Sequence, residues 1–467
     1  MNRSKAVPIG NAMREVSTIY LLIKSWDVLN SRLTPKRRRK DTMQSFEINE
    51  KSPMKVFKFG GASLKSAPAI RNVASIIKSQ GKENLLVVLS AMGNTTDALE
   101  RIIALSQSGK TFNEELKEIE KNHLSIIKQL FPDPKKLSDQ LSSKLNELKE
   151  KVSKKGDYDF VYDQVIGYGE IISSIIVHDL LLDQGLPVLW IDSGKYIKTD
   201  STFREGQIQW TDTETKISEL KPDIRNKILI AQGFIGTNEK NETVSLGREG
   251  SDFSAAIFGC CLKAESVTIW KDVPGVMSAD PKRIPGAVVF EELPYKETAE
   301  MTYYGASVIH PKTVKPLANR QIPLYVKSFV DPHLIGTKIY ECHINNLPPL
   351  VVHKENQCLI SCRVTDYSFI NEEQLGVIFR AISESGLKVN VMQNSAISFS
   401  FCVDYRENRV LKLISLLSKN FEVFYNTGLT LITVKNYDPK TFNEYRNIKG
   451  VILEQSSRSA LQVLVRS

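Results

Sequence analysis

Lys58 stands in an apolar run, Lys55-Val56-Phe57-Lys58-Phe59, that leads directly into Gly60-Gly61-Ala62-Ser63. A cation placed where a strand gives way to side-chain-free backbone is suited to holding a polyphosphate. Two consecutive glycines let backbone N–H groups approach an anion. A helix after them, with Ile70, Val73, Ile76 and Ile77 at helical spacing, directs its positive dipole end to the same place. The string also fits a plain strand-to-helix turn carrying a solvated lysine. Two other glycine patterns carry less. Gly109-Lys110-Thr111 is like the end of a P-loop, but Ala104 occupies a position where that motif requires glycine, and no strand precedes it. Gly167-x-Gly169 lacks the third glycine of a dinucleotide fingerprint.

The elements that must position Lys58 are read from the rhythm of apolar residues. From Met54 to about Val330, short apolar runs at 85–89, 188–191, 228–231, 267–270 and 323–326 alternate with longer helical patterns. Such runs predict a mainly parallel sheet covered by helices on both faces. Residues 114–154 are rich in Lys, Glu and Leu at helical spacing and predict a pair of long surface helices. The stretch 332–349 reads as a linker. Beyond it the order becomes strand 359–364, helix 373–383, strands 388–392 and 397–403, helix 409–417 and strand 421–425, a ferredoxin-like β-α-β-β-α-β unit. A partial second unit follows, with strands at 429–434, 451–453 and 461–465 around one short helix.

The 467 residues suffice for two or three domains with sizeable cores, and 42% hydrophobic with 25% charged residues is ordinary for a soluble globular protein. No apolar run reaches the roughly 18 residues of a membrane span, so no membrane partner is expected. The net charge of +9 is local: residues 1–53 carry 11 Lys+Arg against 5 Asp+Glu, centred on Lys36-Arg37-Arg38-Arg39-Lys40, leaving +3 for the rest. Such a cluster could bind a phosphate backbone or act as a targeting signal. The reading preferred is a leader that is disordered or not native, with no nucleic-acid partner. The six cysteines show no CxxC pairing, and with no secretory signal they are expected as reduced thiols of a cytoplasmic protein. Cys358 and Cys362, at even spacing in a strand, should share a face, with no histidine at zinc-ligand spacing.

Taken with Gly247-Arg248-Glu249-Gly250-Ser251-Asp252, Ile269-Trp270-Lys271-Asp272-Val273-Pro274-Gly275-Val276 and Ala279-Asp280-Pro281-Lys282, the Lys58 string resembles the aspartokinases of the amino-acid-kinase family. Val87 to Asp97, Gly167-Tyr168-Gly169-Glu170, Gln232 to Gly236 and Gly305 to Pro311 strengthen the resemblance, which runs from about Met54 to the C-terminus. It implies a three-layer α/β kinase domain over 54–335, a linker over 336–355 and a C-terminal ferredoxin-like, ACT-type regulatory region over 356–467 with its second module shortened. The implied reaction is ATP- and Mg2+-dependent phosphorylation of the side-chain carboxylate of L-aspartate, the entry to lysine, threonine and methionine synthesis. Since the sequence ends within the ACT-like tail, a monofunctional enzyme is expected. A homodimer through that tail, with lysine or threonine as feedback ligand, is also implied.

Phosphorylating a carboxylate needs no general base, because the nucleophile is already an anion. Charge neutralisation and alignment are needed instead. Lys58 is the expected phosphate-bridging cation, with Gly60, Gly61, Ser63 and Ser251 around the phosphates. Asp252 would orient Lys58 or help hold the magnesium shell, no metal ligand being directly assigned. Ser251 could equally cap a helix beginning at Phe253. The Arg248 fork suits the substrate α-carboxylate, Glu170 its ammonium, and Ser90 and Thr96 its carboxylates. Glu170 could also be a plain helix N-terminal acid. Lys271, Asp272 and Lys282 are expected on the nucleotide side. Lys271, Met277, Lys282 and Ser307 depart from residues common in the family, and Ala396 after Ser395 departs from the Ser-Glu pair of lysine-inhibited relatives. Alternatives within reach are a kinase for glutamate or acetylglutamate, and a non-catalytic amino-acid sensor.

Overall fold

The computed structural model describes residues 53–154, 156–306, 309–366 and 368–466. The leader, read above as disordered or non-native, lies outside them, as does Ser307. Alternation in β1 (Lys55–Phe59) sets the architecture. Phe57 and Phe59 pack on one side of the sheet with Ile70, Val73 and Ile77 of the helix Ala67–Ser79, while Val56 packs on the other with Ala255 and Phe258 of the helix Gly250–Leu262. Lys58 falls on the Val56 side.

Along the chain follow β2 (Leu85–Leu89), β3 (Val188–Ile191), β4 (Ile228–Gln232), the hairpin of β5 (Ile235–Thr237) and β6 (Thr243–Ser245), β7 (Ser266–Lys271), β8 (Glu292–Pro294), β9 (Leu324–Ser328) and β10 (Thr337–Tyr340). The central sheet has the order β3-β4-β2-β1-β7-β9-β10-β8 and is parallel except where β10 meets β9. The central strands β1, β2, β4 and β7 are buried nearly throughout, which is why they read as apolar runs. The long helices expected over 114–154 are Asn113–Leu130 and Lys135–Val152. The stretch Tyr158–Asp183 has the length and hydropathy to cross a membrane, but 72% of its most apolar window is buried in the protein and its helix breaks at Gly167. A Cβ at Gly167 would meet Ile235 at 2.7 Å.

The linker read at 336–355 is largely built into sheets. Thr337 and Ile339 are buried, and Thr337 Oγ1 donates to the Phe290 carbonyl (2.5 Å) while accepting from Val276 N–H (2.8 Å), so β10 extends the central sheet. At Leu350 a second, fully antiparallel sheet begins. Its strands are β11 (Leu350–Arg363), β12 (Val389–Asn394), β13 (Ser398–Asp404), β14 (Glu422–Lys435), β15 (Val451–Ser456) and β16 (Ala460–Arg466), in the order β12-β13-β11-β14-β16-β15.

This sheet also corrects the reading of the tail. Residues 421–425 and 429–434 are two halves of β14, not separate strands, and β11 is longer than its apolar core suggested. Each has an irregular register in the middle, between Lys354 and Leu359 of β11 opposite Asn426 to Leu431 of β14. Beyond the irregularity, β11 and β14 serve the first module with β12, β13 and the helices Glu372–Glu384 and Glu407–Leu417. Before it, Leu350–Lys354 pairs with the second half of β14, which continues into β16 and β15. The second module thus keeps four strands, one of them supplied from upstream of the first module. A single helix, Pro439–Arg446, accompanies it. Cys358 and Cys362 share a face in the core under the first module's helices, and all six cysteines are free.

Lys435, at the end of β14, is buried against the helix Tyr295–Tyr304, which precedes the second sheet in the chain. It pairs with Glu297 (3.1 Å) and with Glu300, and these carboxylates hold its ammonium pKa above the usual range against the opposing effect of burial. Replacing Lys435 by Met should leave two facing carboxylates, 22% and 39% exposed, without their cation. A loss of roughly 2 kcal/mol is expected in urea unfolding, partly restored when Glu297 and Glu300 are also made Gln. A change below about 0.5 kcal/mol would show that the cluster does not hold the sheet to that helix.

Candidate active site

The C-terminal ends of β1, β2, β4 and β7 open onto a cleft of ≈ 500 Å³ bordered by Lys58, Ser90, Thr96, Glu170, Arg248, Ser251, Asp252 and Lys271. Seven of these eight were the expected catalytic, phosphate-binding or substrate-binding residues, drawn from four separate stretches of chain. Lys271 is the only one of the three nucleotide-side residues to border it. Asp272 and Lys282 are exposed in the following loop, where Lys282 N–H donates to Asp280 Oδ1 (2.9 Å) and closes a turn. A larger cavity of ≈ 740 Å³ adjoins the loop at Gly93–Thr95 but contains none of the expected site residues.

At the centre, Asp252 Oδ1 lies 2.6 Å from Lys58 Nζ and Oδ2 lies 3.6 Å from Lys271 Nζ. Asp252 is 2% exposed. Burial by itself would raise its pKa, but the two ammonium groups prevail and hold it below the usual carboxylate range. β1 and β7 are adjacent parallel strands, with Lys58 opposite Ile269, and the helix Gly250–Leu262 brings Asp252 to both lysines from its first turn.

The glycine loop is shaped by close backbone approach. A Cβ on Gly61 would lie 2.9 Å from the Ala91 carbonyl and 3.1 Å from that of Gly93, and Gly93 N–H donates to the Gly61 carbonyl (3.2 Å). Ser63 was expected to touch phosphate. Instead it is fully buried, and its hydroxyl donates to the Gly60 carbonyl (2.6 Å), so it braces the loop from behind. Ser251 does not cap a helix at Phe253: the helix starts at Gly250, with Glu249 in the cap position and no side-chain cap bond. Its backbone and Cβ occupy the space beside Gly233, where a Cβ would come within 2.4 Å of Ser251 Cβ.

Across the cleft, Glu170 lies in the first turn of the helix Tyr168–Asp183 and is 4% exposed. Its Oε2 has no hydrogen-bond partner among the described residues. Burial pushes its pKa up to about 8, opposed by backbone N–H groups, including that of Ala91, and by the Lys58 charge. Gly169 permits this approach, since a Cβ there would meet Ala91 Cβ at 2.6 Å.

Two residues at the cleft were not singled out from sequence. Arg204 has a left-handed backbone (φ 67°), its N–H donates to Asp163 Oδ2 (2.7 Å), and its guanidinium lies 4.3 Å over the Tyr162 ring. Nothing in the turn-rich stretch around Phe203 distinguishes it. Glu249 is also left-handed (φ 54°), a conformation costing a non-glycine residue roughly 1–2 kcal/mol. A charged residue inside Gly247-x-x-Gly250 was a legible signal.

Residues 53–328 match the model of the amino acid kinase family. Among curated proteins, the chain is 29% identical over 390 residues to a chloroplastic bifunctional aspartokinase/homoserine dehydrogenase 1 of Zea mays, covering 78% of this chain and 41% of that protein. The chain thus spans less than half the length of that relative. It is also 29% identical to the lysine-sensitive aspartokinase 3 of Escherichia coli, covering 76% of this chain and 79% of that one. The solved structure of E. coli aspartokinase III with aspartate and ADP superposes with a TM-score of 0.76 at 26% identity, covering 88% of this chain and 96% of that chain. The same enzyme with lysine and aspartate gives 0.75 at 25%, with the same coverage.

Glu170 sets a pH dependence. Its carboxyl keeps a proton to about pH 8 when folded but only to about 4.5 when unfolded. The folded state therefore binds more protons in that window, and the stability contributed is complete below pH 4.5 and lost as pH rises to about 8. Glu170→Gln should lack this decline, so that its thermal midpoint exceeds the parent's at alkaline pH and converges with it in acid. Parallel curves would show that Glu170 ionises freely in the fold.

Proposed function

The chain belongs to the amino acid kinase family, and on that premise we propose that it transfers the γ-phosphoryl group of ATP to the side-chain carboxylate of L-aspartate, giving 4-phospho-L-aspartate and ADP. The observation that carries this reading is the buried Lys58–Asp252–Lys271 cluster facing the unpartnered carboxylate of Glu170 within one cleft. One wall suits polyphosphate and the other an ammonium, and a cation between them suits two anions that must be brought into contact. The related E. coli structure holds aspartate and ADP, an ammonium-bearing ligand and a polyphosphate, which are the two kinds of ligand these walls suit.

In the reaction an oxygen of the substrate carboxylate forms a bond to the γ-phosphorus as the bond to the β,γ-bridging oxygen breaks. The electron pair of that bond leaves with ADP, and no proton changes place. The residues therefore act by position and charge. Lys58, fixed by Asp252, offsets the charge gathering between the two anions, and the Gly60-Gly61 backbone lies beside it. Glu170 offers its unpartnered oxygen to the substrate ammonium, whose charge favours the ionised carboxylate against the protonated form that burial favours. Arg248, or Arg204 against Tyr162, supplies a guanidinium fork for the α-carboxylate, while Ser90 and Thr96 donate to the carboxylates. Carboxylates border the cleft, and a hard cation on a nucleotide takes one or two of them beside phosphate and water oxygens; Mg2+, when bound, would neutralise phosphate charge. Asp272 and Lys282 belong to the outer nucleotide loop in this scheme.

Feedback by lysine or threonine and self-association through the second sheet belong to the same proposal. They are supported by the open edges at β12 and β15 and by the lysine complex of the related enzyme.

Aspartyl hydroxamate trapping tests the reaction. Product is expected with aspartate and not with glutamate, dependent on ATP and Mg2+, and glutamate-selective product would overturn the substrate assignment. Lys58→Met should lower turnover at least about 100-fold with an unchanged circular dichroism spectrum. Arg248→Lys should chiefly raise the aspartate requirement, and an effect confined to ATP would move Arg248 to the nucleotide side.

A further inference from the structure

Glu249 is held in a way that the reaction above leaves unused. Its backbone is left-handed, where glycine would be unstrained, and it occupies the cap position of the helix Gly250–Leu262 without making a side-chain cap bond. Its Oε2 is buried and has no hydrogen-bond partner among the described residues. Burial pushes its carboxyl pKa up, opposed by Lys271 and reinforced by Asp252. A left-handed residue whose buried carboxylate oxygen lacks a partner persists where the surroundings use it.

Three carboxylates border the cleft. Asp252 has one oxygen at 2.6 Å from Lys58 and the other at 3.6 Å from Lys271, so a metal ion could bind it only by displacing a lysine. Glu170 lies across the cleft beside Ala91, on the wall that suits a substrate ammonium. Glu249 is three residues from Asp252, close to the lysines that face the phosphates, and no lysine or arginine among the described residues forms an ion pair with it. A hard divalent cation on a nucleotide takes one or two carboxylates in addition to phosphate and water oxygens. We propose that Glu249 is a protein ligand of the divalent cation that accompanies the nucleotide, leaving Asp252 to hold Lys58 and Lys271. The assignment rests on the phosphoryl-transfer reading and gives the left-handed glutamate a purpose that glycine could not serve.

The test uses the full chain with Mn2+ as the probe and ADP as the nucleotide, following free Mn2+ by electron paramagnetic resonance and requiring no turnover. Glu249→Gln and Glu249→Gly should each weaken Mn2+ binding to the ADP complex about tenfold while leaving metal-free ADP affinity within about twofold. Glu249→Gly should also raise the thermal midpoint, because glycine relieves the left-handed strain, and this guards against misfolding as the cause. Mn2+ affinity unchanged in both variants would overturn the assignment while leaving the kinase reading intact. So would an equal loss of metal-free ADP affinity, which would make Glu249 a counter-charge for Lys271. Failure of the parent to bind ADP would overturn the kinase reading and this assignment together.

Discussion

The site depends on one buried carboxylate that serves two cations. Asp252 is almost fully enclosed, and an isolated charge there would be untenable. Its two ammonium partners make it tenable, and in return it fixes the heads of two flexible lysines at the ends of adjacent strands. The arrangement needs β1 and β7 side by side, with the helix Gly250–Leu262 starting against their ends. The alternation that sends Phe57 and Phe59 into one core layer necessarily sends Lys58 to the other, where that helix lies. The geometry of the cleft and the packing of the core are thus set by the same strand.

Close backbone approach does the rest. Gly61 against Ala91, Gly169 against Ala91 and Gly233 against Ser251 are three places where a Cβ would collide, and together they draw three loops and two helix starts around one small volume. The loop after β2 is shared by two of these contacts. It carries Ser90, whose carbonyl accepts from the Ser173 hydroxyl (2.6 Å), and ends in the helix Thr95–Gln107, where Thr96 sits and Thr95 folds its hydroxyl back onto the Met92 carbonyl (2.6 Å). Its shape is fixed from both sides.

The second sheet is joined to the part that carries the cleft by packing that ends near it. Lys435 holds the helix Tyr295–Tyr304, Lys388 lies 4.2 Å over the Tyr303 ring, and the end of that helix at Gly305 rests against Val352. The next helix, Pro311–Asn319, carries Lys312 in its first turn, which pairs with Glu205 (2.6 Å) next to Arg204 and lies close to Gly247. Contacts thus run from the second sheet to the helix Tyr295–Tyr304, and from the helix Pro311–Asn319 to the neighbours of the two arginines of the cleft.

Local pattern revealed a good deal of this molecule in advance. Continuous apolar runs identified the parallel strands because burial on both faces leaves no polar side, and Lys58-x-Gly60-Gly61 announced a turn of close backbone approach because glycine is needed where backbone must come close. The family-like strings also brought Glu170, Arg248 and Asp252 into view. Other features were beyond local reading. The two halves of β11 and β14 look like independent strands, since a register irregularity interrupts the apolar pattern without ending the hydrogen-bonded ladder. Ser63 has the residue type of a phosphate ligand, but its hydroxyl bonds backwards to Gly60. Arg204 enters the cleft on a loop with no periodicity to betray it. The sequence by itself determined which segments are buried and which residue types are available for chemistry, because burial and backbone freedom act on residues a few positions apart. Only the tertiary structure decided which of those residues meet, because Lys58, Arg204, Asp252 and Lys271 are brought together by sheet order and helix placement, which no short stretch of chain encodes.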